Sequence, residues 1–228
     1  MRMTKKTRWF LLWIAVMLAM PVWAVQGQGG QVSGLVWLEK NVDGAFSNES
    51  GLAGAVVTLE QQAEDGGVTD IAQAVTGRNG NYSLSVPDAG DYRLRIELPA
   101  EYRFTLHGLA SDALPAQGRV SYTPVFHVSG GQNVTKYIGA TKSFATITVI
   151  AFEDLNANGG RMNSEPAVSG AQVDVLYAYA GETYVVTSEL VGRDGQAIIR
   201  ELSPGTYRVR ISLPENYAVG PLGQKVSG

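Results

Sequence analysis

Cysteine is absent from this chain of 228 residues, only 17% of which are charged, and there are just two histidines. Without cysteine, no disulfide can stabilise the chain, and zinc sites built on thiolates are excluded. No segment after residue 24 shows a sustained 3.6-residue hydrophobic period, so long amphipathic helices are not predicted. Hydrophobic cores must therefore hold the fold together, with a bound metal as a further source of stability.

The first 24 residues are predicted to be a secretory signal peptide. A positively charged segment precedes an uninterrupted apolar run over residues 9–20, and Ala24 ends a plausible cleavage sequence. The alternative is an uncleaved anchor, but the run is shorter than the roughly 20 residues that cross a bilayer. We therefore expect an exported protein, secreted or attached to the cell wall, with no membrane contact after cleavage.

The charge of the exported chain restricts its partners. Cleavage after Ala24 removes four of the 18 basic residues and leaves 14 against 21 acidic residues, a formal charge of −7. Nucleic acids and anionic membranes attract basic surfaces, so neither is an expected partner.

An internal repeat determines the predicted domain organisation. Residues 77–80 (GRNG) recur as 192–195 (GRDG), and residues 90–96 recur at the same offset of 115 as 205–211. The sequence predicts one module over residues 31–142 and a second over 145–228. The second module lacks a counterpart of the closing strands expected at 120–139, which suggests a piece of a longer protein.

Each module is predicted to be all-β. Apolar residues alternate with polar ones, and this period of two is typical of a strand with one buried face. One predicted strand recurs clearly in both copies. Its inward-facing residues are Tyr92, Leu94, Ile96 and Leu98 in the first copy and Tyr207, Val209, Ile211 and Leu213 in the second. Asn79-Gly80 and Asp194-Gly195 predict hairpin turns between neighbouring strands.

Several of these segments resemble a known family. Val36-Trp37, Asn41-x-Asp43-Gly44 and residues 51–59 (GLAGAVVTL) are similar to the opening of the B-type domains of serine-aspartate-repeat surface adhesins, and residues 80–84 (GNYSL) to their second half. Collagen-adhesin B-type domains share this architecture. The resemblance implies tandem prealbumin-like (Ig-like) β-sandwiches after an N-terminal signal helix. It also implies a stalk role on a bacterial surface beside further repeats of the same polypeptide, with calcium as stiffener and no catalysis.

One loop of the second module matches a calcium-binding pattern. Asp154, Asn156 and Asn158 place oxygens at positions 1, 3 and 5, Gly159 occupies position 6, and Glu165 occupies position 12. The carbonyl of Gly160 would add a ligand at position 7. Calcium prefers six to eight such oxygens, and two carboxylates predict weak binding.

The first module offers a less regular version of this loop. Its candidate ligands are Glu39, Asn41, Asp43 and Glu49, the last one residue short of the ideal position. For both loops the alternative is an Asx-rich turn whose side chains bind their own backbone.

Two other functions remain open at this point. The chain could bind a glycan or a host or surface protein through exposed aromatic residues, or serve as an accessory domain of a larger extracellular enzyme. The aromatic candidates are Tyr102, Phe104, Tyr177, Tyr179 and Tyr184. Lys40 and Lys142 are the lysines considered for an internal isopeptide bond, and neither lies in a predicted core strand.

Overall fold

The computed structural model describes residues 29–220 except Val42, Glu64, Leu106, Gly108, Leu109 and Ala180. The proposed signal peptide and the last eight residues of the predicted second module lie outside this part of the chain. Every regular element of the described residues is a β-strand, so the prediction of an all-β fold is confirmed. No helix that could cross a membrane occurs in this part of the protein.

Fifteen strands divide into an N-terminal region (residues 29–141) and a C-terminal region (residues 145–220). The N-terminal strands are β1 (Gly30–Leu38), β2 (Ser50–Gly51), β3 (Val56–Gln62), β4 (Val68–Val75), β5 (Asn81–Val86), β6 (Gly90–Glu97), β7 (Arg103–Phe104), β8 (Val120–Tyr122), β9 (Phe126–Val128) and β10 (Asn133–Thr141). The C-terminal strands are β11 (Ala145–Ile150), β12 (Gln172–Tyr179), β13 (Glu182–Leu190), β14 (Gln196–Leu202) and β15 (Arg208–Ser212).

The N-terminal region is a β-sandwich of two five-stranded sheets. In one sheet the order is β2-β1-β10-β7 with β5 on β1; in the other it is β4-β3-β6-β8 with β9 on β6. Strands β1 and β10 run parallel, from the pair Gln31↔Asn133 to the pair Leu38↔Ala140. Alternate residues of both sheets meet in one core, which includes Leu59, Ile96 and Phe104, all fully buried.

The C-terminal region repeats part of this pattern. Strand β11 pairs with β14 as β1 does with β5, and β12 lies between β13 and β15 as β3 lies between β4 and β6. The registers correspond as well, because Val57↔Ile96 in the first region matches Val173↔Ile211 in the second. The described C-terminal residues form no counterparts of β8, β9 or β10.

This difference changes the burial of the repeated inward-facing residues. Tyr92, Leu94, Ile96 and Leu98 are buried as predicted. The prediction is wrong for Val209 and Ile211, which are 40% and 45% exposed. Strands β8 and β9 pair with β6, but no described strand covers the corresponding side of β15, so its apolar residues remain in contact with solvent.

The predicted hairpins at Gly80 and Gly195 are also wrong. Strands β4 and β5 belong to different sheets, as do β13 and β14, so each turn connects two layers. Gly80 and Gly195 have φ values of 73° and 75°, whereas the residues before them do not have positive φ. A type I′ hairpin needs positive φ at both central residues, so the sequence pair alone was insufficient evidence.

Candidate metal-binding loops and the joint between regions

Each candidate calcium loop is closed by a short antiparallel neck. In the C-terminal region, Phe152 pairs with Ala167, and the Glu153 amide donates to the Pro166 carbonyl at 2.9 Å. Continuing this register sets Asp154 opposite Glu165. The first and last predicted ligands therefore lie at the two ends of the loop, next to the neck that closes it.

The N-terminal loop has the same neck. Trp37 pairs with Gly51 and Leu38 with Ser50, which sets Glu39 opposite Glu49. Glu49 is therefore the structural counterpart of Glu165, although the sequence pattern counts it as one residue short. The difference in length falls inside the loop, and in both regions an acid stands on each side of the neck.

The side-chain oxygens of the C-terminal loop point toward its own backbone amides. Asp154 accepts hydrogen bonds from the amides of Asn158 at 3.2 Å and Gly159 at 2.7 Å. Asn156 Oδ1 accepts from the Asn158 amide at 3.0 Å, and Asn158 Oδ1 from the Gly160 amide at 2.7 Å. The loop thus places these oxygens on its inner side in the arrangement of an Asx-rich turn.

Glu165 departs from that arrangement. Its side chain is buried, with 6% exposed, and Oε2 accepts a hydrogen bond from the Met162 amide at 2.7 Å. The other oxygen, Oε1, is buried and has no hydrogen-bond partner among the described residues. A buried carboxylate oxygen without a partner costs free energy unless a donor or a cation satisfies it.

The acids of the N-terminal loop are more fully bonded. Glu39 is 4% exposed and accepts from the amides of Asn41 at 3.2 Å and Gly44 at 2.9 Å. Asp43 accepts from the side-chain amide of Asn41 at 2.6 Å. Hydrogen bonds from the amides of Asn48 and Ser47 lower the pKa of Glu49.

The side chains of the two loops can be compared with the ligands that a metal ion needs. Within the described residues, no group of three or more His, Asp or Glu side chains is close enough to hold one. Each neck offers two carboxylates, so a cation there would also need amide and carbonyl oxygens. Such a hard, oxygen-only donor set suits calcium and does not suit zinc.

The remaining candidate residues are dispersed. His107 lies between the two regions and His127 pairs with Asp91 on the surface. Phe104 is a core residue, and Tyr177 and Tyr179 contact His107 instead of forming an exposed platform. Lys142 forms a surface ion pair with Glu101 at 3.0 Å.

A contact that no sequence pattern predicted joins the two regions. Residues 116–118 of the N-terminal region lie antiparallel to the end of β14, where Gln117 pairs with Leu202. The Gly118 amide donates to the Glu201 carbonyl at 2.9 Å, and the Ser203 amide donates to the Ala116 carbonyl at 3.1 Å. Through these backbone hydrogen bonds, a short segment of the N-terminal region pairs with the edge of β14.

Side chains reinforce this joint. The buried guanidinium of Arg103 contacts Glu201 Oε1 at 2.7 Å, and Thr187 donates to Gln117 Oε1 at 2.7 Å. Glu201 has φ 61°, a left-handed conformation that non-glycine residues adopt at a cost of about 1–2 kcal/mol. Because nothing in the residue type favours this conformation, no sequence signal pointed to Glu201.

Comparison with known proteins finds a family whose sequences resemble the N-terminal region. Residues 30–137 match the family model of the SdrD B-like domain. The N-terminal region is similar to a B-type domain. The match ends before β11, and one such domain, not two, is found by the family model.

Relatives extend the B-type similarity beyond that domain. Serine-aspartate repeat-containing protein D of Staphylococcus aureus (strain Newman) is 27% identical over 190 residues, which cover 82% of this chain and 14% of that protein. Serine-aspartate repeat-containing protein F of Staphylococcus epidermidis is 27% identical over 187 residues, covering 82% and 10%. The chain thus spans a small fraction of the curated relatives it matches. Neither the matched family nor these relatives is an enzyme, in agreement with the prediction that this chain is not one.

Among solved structures, the shaft pilin SpaA of Lactobacillus rhamnosus GG aligns with 83% of this chain and 90% of its own, at 11% identity and a TM-score of 0.34. The basal pilin SpaE of the same organism aligns with 83% and 86%, at 10% identity and a TM-score of 0.33.

Proposed function

We propose that this chain is an extracellular structural spacer of a bacterial surface protein, in which two B-type domains stand in a fixed orientation. The domains would comprise residues 31–142 and 145–228. The B-type match and the similarity to serine-aspartate repeat-containing proteins support the type of module. The joint between the regions is the observation that supports the spacer role. A stalk can hold its outer end away from the cell only if neighbouring domains keep a fixed relative orientation.

The length of the connection favours a stiff joint. Strand β10 ends at Thr141 and β11 begins at Ala145, so three residues connect the regions. The Ser143 amide donates to Thr141 Oγ1 at 3.0 Å, and the Arg103 guanidinium lies 5.3 Å from the centre of the Phe144 ring. Arg103 therefore contacts both the connection and Glu201, on opposite sides of the joint.

Repeated hydrogen bonds support the assignment of the C-terminal region to the same domain type. Tyr92 donates its hydroxyl to the Asp88 carbonyl at 2.8 Å, and Tyr207 donates to the Ser203 carbonyl at 2.7 Å. These pairs are separated by the repeat offset of 115 residues. Both tyrosines thus stabilise the turn before the corresponding strand.

We further propose that calcium stiffens the loops, the C-terminal loop above all. A divalent cation that binds both Asp154 and Glu165 would connect the two ends of the C-terminal loop. The buried Glu165 Oε1 without a hydrogen-bond partner is the atom best placed to gain from a cation. With two charged ligands, we expect a Kd of about 10⁻⁴–10⁻³ M, typical of extracellular modules.

The fixed orientation can be tested with spin labels, since the chain has no native cysteine to interfere. Labels on cysteines placed at the exposed positions Val75 and Leu190 report the distance between the regions. A narrow distance distribution is expected in the unaltered protein and a broad one in Glu201→Lys, which opposes two cations at Arg103. Glu182→Lys makes the same charge change on exposed β13 and should leave the distribution narrow. A broad distribution without any joint substitution contradicts the spacer proposal.

Calcium binding is tested by thermal unfolding with and without millimolar calcium. We expect a higher midpoint with calcium in the unaltered protein and a much smaller rise in Glu165→Gln and Asp154→Asn. Glu182→Gln, an exposed acid outside the loops, should respond as the unaltered protein does. Equal midpoints with and without calcium would leave the loops as Asx-rich turns, while the spacer role would stand on the distance measurement.

A further inference from the structure

The outer face of the sheet formed by β5, β1 and β10 is a surface that the spacer role does not use. In the register of these strands, Leu35 of β1 lies between Asn81 of β5 and Tyr137 of β10. Directly opposed residues point to the same side of a sheet, and so does every second residue along a strand. Nine side chains therefore share this surface, named here the neutral face: Gln31, Ser33, Leu35, Asn81, Ser83, Ser85, Asn133, Thr135 and Tyr137.

Hydroxyl and amide groups dominate the neutral face, and none of its nine side chains is charged. Every member except Leu35 carries a hydroxyl or an amide group. The other outer face of the N-terminal region differs, because Glu60, Arg93 and Arg95 form ion pairs there. Neutrality is thus a property of this one face, in a chain whose exported part has a formal charge of −7.

Two exposed aromatic rings line a shallow concavity on the neutral face. Tyr137 and Phe46 are each 45% exposed, and the concavity has a volume of about 510 Å³. Phe46 belongs to the loop after β1, and its ring centre lies 5.7 Å from that of Trp37, which is fully buried. Trp37 therefore supports Phe46 from the protein side, while nearly half of the Phe46 surface contacts solvent.

The polar side chains of this concavity have free hydrogen-bonding groups. Ser33, Asn81 and Thr135 line it together with Leu35. Among the described residues, none forms a hydrogen bond with these three polar side chains or with the Tyr137 hydroxyl. Each can therefore donate to a bound molecule and accept from it.

We propose that the neutral face binds a neutral oligosaccharide. Sugars present hydroxyl groups at their edges and C–H groups on their ring faces. The hydroxyl and amide side chains suit the former, and the rings of Phe46 and Tyr137 suit the latter. A face without charge favours an uncharged ligand over an anionic polymer. Strands β5 and β10 lie about 10 Å apart on either side of β1, which is close to the length of a disaccharide.

A protein partner suits the neutral face less well. Protein interfaces are depleted of serine, and serine and threonine rarely supply much of their binding energy. Four of the nine side chains here are of these two types, namely Ser33, Ser83, Ser85 and Thr135. A ligand that is itself rich in hydroxyl groups matches this composition better.

The C-terminal region does not repeat this chemistry. At the repeat offset of 115 residues, Ile198 and Arg200 stand in place of Ser83 and Ser85. An apolar and a charged side chain thus interrupt the row of hydroxyl groups. We therefore expect binding at the N-terminal region only.

NMR titration of isotope-labelled residues 25–228 with cellohexaose, chitohexaose and maltohexaose tests the proposal. We expect at least one of these neutral oligosaccharides to shift the amide signals of Ser33, Asn81 and Thr135 and to leave that of Ile198 in place. A hyaluronan oligosaccharide, which is anionic, should cause no such shifts. The proposal is overturned if none of the three neutral sugars shifts these signals at its highest soluble concentration, or if hyaluronan shifts them more.

Matched substitutions locate the site. Tyr137→Ala should raise the Kd of the bound oligosaccharide by about tenfold, because it removes one of the two rings. Tyr184→Ala, at an exposed tyrosine of β13, should leave the Kd unchanged. If Tyr137→Ala fails to fold, Thr135→Lys replaces it, since a long charged side chain on the exposed face should abolish the shifts, and Thr183→Lys on β13 is its control. Equal effects of the two members of a pair contradict binding at the neutral face.

Discussion

Strands β6 and β15 have nearly the same apolar pattern and different surroundings. Leu94 and Ile96 of β6 are fully buried, while Val209 and Ile211 of β15 are at least 40% exposed. Both strands pair with the same kind of neighbour, β3 in one case and β12 in the other. Whether a strand face is buried thus depends on the segments that pack on it. The alternation of apolar residues shows only that the face is suited to burial.

Truncation of matched isoleucines is the strongest way to sharpen this comparison. Ile96→Ala should lower the free energy of unfolding by about 2–5 kcal/mol, because it opens a cavity in a closed core. Ile211→Ala should cost roughly 0.5 kcal/mol or little more, as expected of a solvent-exposed position. Chemical denaturation of both variants measures the difference. Equal losses would mean that β15 is covered in solution.

The two inter-sheet turns provide a second matched pair. Gly80→Ala and Gly195→Ala each force alanine into a left-handed conformation, at a cost of about 1–2 kcal/mol. A Cβ at residue 80 would also lie 2.1 Å from the Val36 carbonyl oxygen, against 2.6 Å from that of Ala151 at residue 195. We therefore expect Gly80→Ala to be the more destabilising, as measured by thermal unfolding. The reverse order would show that the N-terminal turn relaxes more easily.

Acid titration tests the hydrogen bonds and the ion pair of Asp174 in the C-terminal region. Hydrogen bonds from Gln172, Ser188 and Arg210 lower the pKa of Asp174 to about 2. A lowered pKa stabilises the fold above the ordinary aspartate value of 3.8, and this contribution is lost as the pH falls toward 2. The stability difference between the unaltered protein and Asp174→Asn should therefore shrink over that range. Glu182→Gln should show no such change, and a pH-independent difference for Asp174→Asn would contradict the assignment.

The smallest expected effect concerns His107 at the joint. Its ring lies edge-on to Tyr179 at 4.1 Å between centres, and burial lowers its pKa below 6.5, outweighing the opposing hydrogen bond with the Ala113 carbonyl and the charge of Asp112. The folded protein therefore disfavours the charged ring, and stability should fall slightly as the pH drops below 6.5. Thermal midpoints between pH 7.5 and 5 should show this fall in the unaltered protein and a smaller one in His107→Gln. His127→Gln, at an exposed histidine, is the matched control.

The sequence predicted features that local chemistry determines. Period-two alternation located β6, and the Asx-rich pattern located the loop from Asp154 to Glu165. Prediction from the sequence failed where residues far away in the chain determine the structure. The exposure of Ile211 depends on strands that no local pattern specifies, and the turn at Gly80 was misassigned because pairing partners lie in different sheets. The joint at Glu201 could not be predicted, since its conformation is stabilised by residues about 100 positions earlier.

The parallel pairing of β1 with β10 has a mechanical consequence. The chain enters the N-terminal region at the start of β1 and leaves it at the end of β10, and these points lie at opposite ends of one ladder. Tension along the polypeptide would pull the two strands past each other and load all their hydrogen bonds at once, whereas an antiparallel hairpin pulled from its open end breaks them one by one. A domain tethered in this way resists stretching along the direction in which a surface stalk bears force.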